Sequence, residues 1–188
     1  RKGIYENNFT REMETAKSSV LMVASGKCKY NQKNVVMMSM LGQLLNILYT
    51  QTVREEAGGT YGVSCNGSIS KYPEAEGVFQ IYFDTDPQRR PQMVELINKG
   101  IDDFIAQGPK TEDLNKVKEY MLKTFQQNQK ENSYWMGIIN TMLWEKVDMN
   151  TGYQNTVNSI TVNDLKKFAK SFFGQKNMIE VSMNSPVK

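Results

Sequence analysis

The chain has 188 residues, 39% of them hydrophobic and 23% charged, with a net charge of +3 and no histidine. That size and balance suit one globular domain that buries about 70% of its unfolded surface. The charge is mild, Lys110, Lys116, Lys118, Lys123 and Lys130 interleave with Glu112, Asp113, Glu119 and Glu131 as on a solvated helix face, and no apolar run approaches the roughly 18 residues of a membrane span, so nucleic acid and membrane insertion are both disfavoured.

Ser18 to Ser25 contains V-L-M-V-A, an apolar, β-branched run suited to a buried strand. After the polar segment Asn31 to Asn34 the spacing predicts a helix, with Met37, Leu41, Leu44 and Leu48 recurring at intervals of four, three and four and Met38, Leu45 and Val53 widening the stripe. Its methionines read as gap-fillers of a core-facing helix. Gly58 and Gly59 can stop that helix in left-handed conformation and let the chain reverse, so that Arg54 and Tyr61 flank one turn.

Two readings of that turn stand open. Arg54 complements a helix dipole and Tyr61 is an ordinary strand residue, or else a cation and a phenol are held there for a substrate. Glu55 and Glu56 oppose the dipole by roughly a few tenths of a kcal/mol each, which points to a further constraint on the segment.

Beyond the turn, alternation predicts strands over Thr60 to Ser70 and Val78 to Asp84. Asn66-Gly67 is a hairpin signal that competes with Pro73 to Gly77. The later turn leaves strands of comparable length, with a bulge at Gly67 absorbing the earlier signal. Asp84-Thr85-Asp86-Pro87 reads as a strand-to-helix turn, since a hard-cation site needs more oxygen ligands than it offers.

A helix from Arg89 to Gln107 presents Val94, Ile97, Ile101, Phe104 and Ile105 to the core, and Gly108-Pro109 ends it. Thr111 caps a second, running to about Lys130 on Leu114, Val117, Met121 and Phe125. A third, capped by Ser133, carries Trp135, Ile138, Ile139, Met142 and Leu143 as a core stripe. Thr161-Val162-Asn163-Asp164 caps a last helix with Leu165, Phe168, Ala169 and Phe172 inward and Gly174 at its end, and Met178 to Met183 closes as a strand. The order implies an α+β domain, residues 1–188, with a largely antiparallel sheet, helices on one face and the other face free to meet a substrate or a facing domain.

Cys28 and Cys65 can pair only if their strands meet, and the N-x-S/T matches at Asn8 and Asn66 are at chance level. Two cysteines 37 positions apart, without histidine, make no zinc half-site, so no metal ligands are expected in this chain.

The run L-L-N-I-L-Y-T-Q-T-V-R-E-E-A-G-G-T-Y-G-V-S, from Leu44 to Ser64, resembles a segment in the C-terminal half of the pitrilysin/insulinase-family (M16) zinc metallopeptidases. F-Q-I-Y-F-D-T-D-P ending at Pro87, G-P-K-T-E-D-L-N-K-V-K from Gly108 and S-I-T-V-N-D-L-K-K-F-A-K from Ser159 resemble the same domain in the same order, so the likeness runs from Val20 to Val187. It implies the M16 (LuxS/MPP-like) fold and the half that lacks the inverted H-x-x-E-H zinc motif.

The family's substrate-binding Arg and Tyr fall on Arg54 and Tyr61, which would contact the substrate backbone and help stabilise the tetrahedral intermediate. By the same resemblance the zinc lies in another domain, on the same polypeptide or a partner subunit, the substrate is a peptide or unfolded polypeptide, and the chain alone is inactive. A proteolytically inactive scaffold or assembly subunit of this fold is the alternative, and a free-standing binding module a third. Arg1-Lys2-Gly3 leads into polar sequence with no signal-peptide core, as expected of a fragment excised from a larger protein. The compartment is not fixed by the sequence, with a periplasmic or otherwise exported one expected ahead of the cytoplasm.

Overall fold

The computed structural model describes residues 2–186, with the side chains of Glu56 and Tyr61 outside the description. Five strands, β1 (Ile4–Thr10), β2 (Ser18–Lys27), β3 (Thr60–Ser70), β4 (Glu76–Thr85) and β5 (Met178–Asn184), form one sheet in the order β1-β5-β2-β4-β3. Among the described residues the β1 and β5 pair is parallel and the other three pairings are antiparallel. The helices are α1 (Gln32–Tyr49), α2 (Arg90–Gln107), α3 (Thr111–Asn128), α4 (Asn132–Asn140), α5 (Tyr153–Ser159) and α6 (Val162–Phe173), with π-helical turns over Thr50–Glu56 and Thr141–Glu145. The fold is α+β, as the order of elements implies.

The core lies between the sheet and the helices. Val20, Met22 and Ala24 of β2 alternate inward with Phe79, Ile81 and Phe83 of β4, and Met38, Leu41, Leu44 and Leu45 of α1 are buried in the same cluster. Burying such side chains stabilises the fold by about 1.5–3 kcal/mol each relative to exposure. Leu48, expected in the α1 stripe, is only partly buried. Tyr49 is fully buried and donates its hydroxyl to the Ile97 carbonyl at 2.8 Å. It lies against Gly100 of α2, where an added Cβ would come within 2.4 Å of the ring, so a small residue there lets α1 and α2 approach.

Several elements differ from expectation. β1 was not legible because all seven of its residues are exposed, so no apolar alternation marks it. α5 is short and buries only Val157. The β3–β4 turn falls between Ser70 and Glu76, where the later signal placed it, but the bulge lies between Thr60 and Val63 and not at Gly67. Gly67 pairs regularly with Phe79, and a Cβ on it would meet Met38 Sδ and Phe79 Cδ2, both at 2.7 Å; it serves close packing, not an extra residue in the strand. The caps of α3 and α4 are Lys110 and Glu131, not Thr111 and Ser133, each one or two residues earlier than the polar side chains suggested.

The largest departure is α4. Trp135, Ile139, Met142 and Leu143 are exposed, Ile138 is half-buried, and the stripe that helical spacing assigned to the core faces away from it. By contrast α6 is as read: Thr161 Oγ1 accepts the Asp164 N–H, Asp164 Oδ2 accepts the Thr161 N–H, and Leu165, Ala169 and Phe172 are buried. Cys28 and Cys65 are both free thiols.

Candidate functional site

The site is built where α1 stops being an α-helix. The Thr50 and Thr52 hydroxyls donate to the carbonyls of Asn46 and Leu48 at 2.8 and 2.9 Å, four residues back, which competes with the backbone ladder. From Thr50 the chain widens into a π-helical turn, and the Ala57 N–H reaches the Thr52 carbonyl, five residues back, at 3.2 Å. Arg54 lies exposed on this turn, and among the described residues no carboxylate pairs with it.

The reversal follows at once. Gly58 adopts φ +57, which favours glycine, and the Gly59 N–H closes on the Val53 carbonyl at 3.2 Å. Gly59 is packed so closely on Met93 that a Cβ would stand 1.9 Å from its sulfur. Arg89 clamps the outside of the turn, donating from Nη1 to the Gly58 carbonyl at 2.8 Å and from Nη2 to the Ala57 carbonyl at 2.6 Å. Thr85 Oγ1 donates to the Gly59 carbonyl at 2.5 Å, and Thr60 Oγ1 donates to the Asp84 carbonyl at 2.5 Å while accepting the Gly62 N–H at 3.2 Å.

Thr60 pairs with Thr85 and Val63 with Phe83, so Tyr61 and Gly62 together stand opposite Asp84. Two residues against one is a β-bulge, a device that bends a strand and re-aims its side chains, often beside active sites. Tyr61 therefore sits in the bulge of an edge strand. Its side chain lies outside the described residues. Both sequence-derived candidates belong to one clamped turn, Arg54 on its helical limb and Tyr61 on its strand limb.

Arg89, Thr60 and Thr85 were missed by reading the sequence, and one signal for Arg89 was present. Arg89 and Arg90 open α2, where cations oppose the helix dipole, so each needs a partner elsewhere. Arg89 finds the turn carbonyls; Arg90 lies 3.6 Å from Glu180 and donates to Asn8 Oδ1 at 3.0 Å, tying the exposed β1 to the body.

Across the sheet from its helices, register places Ser64, Asn66, Gln80, Tyr82 and Asp84 on one half of the open face and Leu21, Val181, Tyr5 and Phe9 on the other. The open face is polar chiefly over β3 and β4. Asp84, opposite the bulge, accepts from Lys17 Nζ at 3.0 Å, Ser19 Oγ at 2.5 Å and the Tyr82 hydroxyl at 2.9 Å. Partial burial pushes its carboxyl up, but those hydrogen bonds and the Lys17 charge outweigh it and hold Asp84 below the usual carboxylate range.

The donor set does not fit zinc. The chain has no histidine, burial pushes the Cys65 thiol up to about 12 and the Cys28 thiol up as well, and among the described residues no three acidic, Cys or His side chains converge. No described helix is long and apolar enough to cross a membrane.

Among solved structures the fold is similar to the periplasmic protease PqqL from Escherichia coli, with TM-score 0.83 and 16% identity over 97% of this chain and 21% of that one. It is also similar to a peptidase M16 inactive domain from Pseudomonas fluorescens (TM-score 0.78, 18% identity, 100% of this chain and 44% of that one) and a protease from Helicobacter pylori (0.77, 15%, 97% and 45%). At such identities the likeness is one of fold, and the chain spans less than half the length of each. No curated protein matches it significantly. Residues 6–121, more than half of the chain, match the family profile described as peptidase M16 inactive domain, and the chain belongs to the M16 peptidase family as a domain of that non-catalytic, C-terminal type.

Proposed function

We propose that this chain is the substrate-binding C-terminal domain of a zinc-dependent endopeptidase acting on peptides or unfolded polypeptides. The 188 residues are one domain of a longer protein or assembly, and the zinc belongs to a companion domain on the same polypeptide or on a partner subunit. The observation that carries the reading is the clamped turn, which joins Arg54 and Tyr61 through a π-helical widening and a β-bulge. Both irregularities cost regular hydrogen bonding, and both are frequent at functional sites.

In this role the Arg54 guanidinium holds a carbonyl of the substrate backbone. The Tyr61 phenol donates to the oxygen that gains negative charge as the tetrahedral intermediate forms. β3 is a sheet edge, and an extended peptide can add to such an edge through main-chain hydrogen bonds with little demand on its sequence.

Tyr61→Phe and Arg54→Ala, made in the complete enzyme, test the proposal. Loss of one preorganised donor to an oxyanion lowers turnover by about 100-fold to 1000-fold, so Tyr61→Phe is expected to lower kcat on that scale with its melting temperature unchanged. Arg54→Ala raises KM as well, since its contact exists in ground and transition states alike. Near-normal turnover of Tyr61→Phe, or a loss of folding that accounts for the lost activity, returns the pair to the roles of helix end and strand start.

A further inference from the structure

Helix α4 and the π-helical turn that extends it form an arm with an inverted face. Trp135, Met136, Ile139, Met142, Leu143 and Trp144 are between 40% and 77% exposed. Taking about 200 Å² for each whole side chain, they present roughly 650 Å² of apolar surface, more than the ~300–600 Å² of the largest patch on a typical monomer and near the ~800 Å² that each partner contributes to a standard interface.

The arm has somewhere else to put these side chains and does not. Beneath it runs a groove of about 880 Å³ between α1, α3 and α4, walled by Ile47, Val117, Met121 and Ile138. A roll of about 100°, one residue's worth of helix, would turn exposed side chains such as Ile139 towards it. Polar tethers oppose that roll. Trp135 Nε1 donates to the Gln129 carbonyl at 2.9 Å, the Tyr134 hydroxyl donates to Asn150 Oδ1 at 2.8 Å, and the Lys71 ammonium donates to the Glu145 carbonyl. Tyr134 also stands edge-on to Phe125 of α3. The outward setting of the apolar face is thus fixed at both ends of the arm.

We propose that this outer face, centred on Ile139 and Leu143, is where another folded domain of the same parent peptidase docks. A helix's outer face is convex and lacks the groove or sheet edge by which peptides are usually held, so its complement is a second folded surface. The area is that of one side of a stable interface. Its ends carry mixed charge, Lys130 and Glu131 at one and Lys146 and Asp148 at the other, as the polar rim of such an interface does. This chain covers 21% and 44% of the similar chains, so each of them carries more polypeptide beside the matched part than within it. The inference rests on the reading of the chain as one domain of a larger peptidase, and is independent of what Arg54 and Tyr61 do.

Oxidative footprinting of the methionines tests it, comparing the 188-residue chain alone with the complete polypeptide that carries it, both under dilute hydrogen peroxide. Met136 and Met142 are expected to oxidise at least 10-fold more slowly in the complete polypeptide, while the fully buried Met38 and Met40 stay protected in both. Ile139→Asp in the complete polypeptide is expected to restore their oxidation, and Arg54→Ala to leave the protection intact while lowering activity. Equal oxidation rates in the two forms overturn the docking. So does protection that survives Ile139→Asp, or protection in the isolated chain that grows with its own concentration, which assigns the face to a second copy. A loss of the Arg54 effect with protection retained counts against the proposed function alone.

Discussion

Two helices of this domain run on into π-helical turns, and the two continuations do opposite things. The extension of α1 ends at Gly58 and Gly59, packs its Val53 into the core and is clamped by Arg89, Thr85 and Met93. The extension of α4 ends at Lys146 in left-handed conformation, buries none of its five residues and is held by polar tethers. Widening a helix by one residue per turn shifts every later side chain round its axis. In the first case the shift is set in a packed frame and carries the exposed Arg54. In the second it maintains an apolar face that the domain itself leaves uncovered. The same backbone device therefore serves position in one place and presentation in the other, and packing decides which.

The two extensions differ most at their glycines. Gly59→Ala places a Cβ against the sulfur of Met93, which is fully buried and can yield only into the core, and overpacking of this kind costs about 1–3 kcal/mol. Denaturant unfolding is expected to show that loss; an unchanged midpoint means that the clamp is loose. Gly137→Ala on the arm is expected to do the reverse. A Cβ there meets nothing within 4 Å, so replacing a helical glycine is expected to stabilise by about 0.5–1 kcal/mol, and a destabilised variant would show α4 to be packed after all.

The smallest effect is electrostatic and belongs to the clamped region. Asp84 is held below the usual carboxylate range, so its contribution to stability is present above its unfolded pKa and is lost as pH falls through the lower folded value. Melting temperatures of the wild type and Asp84→Asn are expected to differ at neutral pH and to converge in acid. A gap that widens as the pH falls reverses the sign and removes Asp84 from the strand-to-helix turn's support.

Much of the local chemistry was legible, although the caps of α3 and α4 lie one or two residues before Thr111 and Ser133 and the bulge is not at Gly67. The Thr161–Asp164 capping box, the α1 stripe and the β3–β4 hairpin each rest on residues a few positions apart, and each is present. The rest of what escaped depends on partners far along the chain or on none. Arg89 meets Gly58 some thirty residues back, and the bulge at Tyr61 and Gly62 is fixed by the Thr60 hydroxyl reaching Asp84. β1 has no buried face to impose a period, and α4 has the period of a core helix without its burial. A hydrophobic period reports that a face is to be covered; it does not say whether the covering lies in the same domain. Arg54 and Tyr61 were legible as the flanks of one turn, but not the clamp that fixes the turn's shape.

The chain's only two tryptophans, Trp135 and Trp144, are both on the arm and both exposed. Their emission reports solvent at α4 and its extension, not the integrity of the core between sheet and helices. An all-or-none melt of the isolated domain therefore gives tryptophan fluorescence and far-ultraviolet circular dichroism one midpoint, with a small fluorescence change because both rings are already wet, and a fluorescence transition that comes first reports the arm loosening ahead of the core.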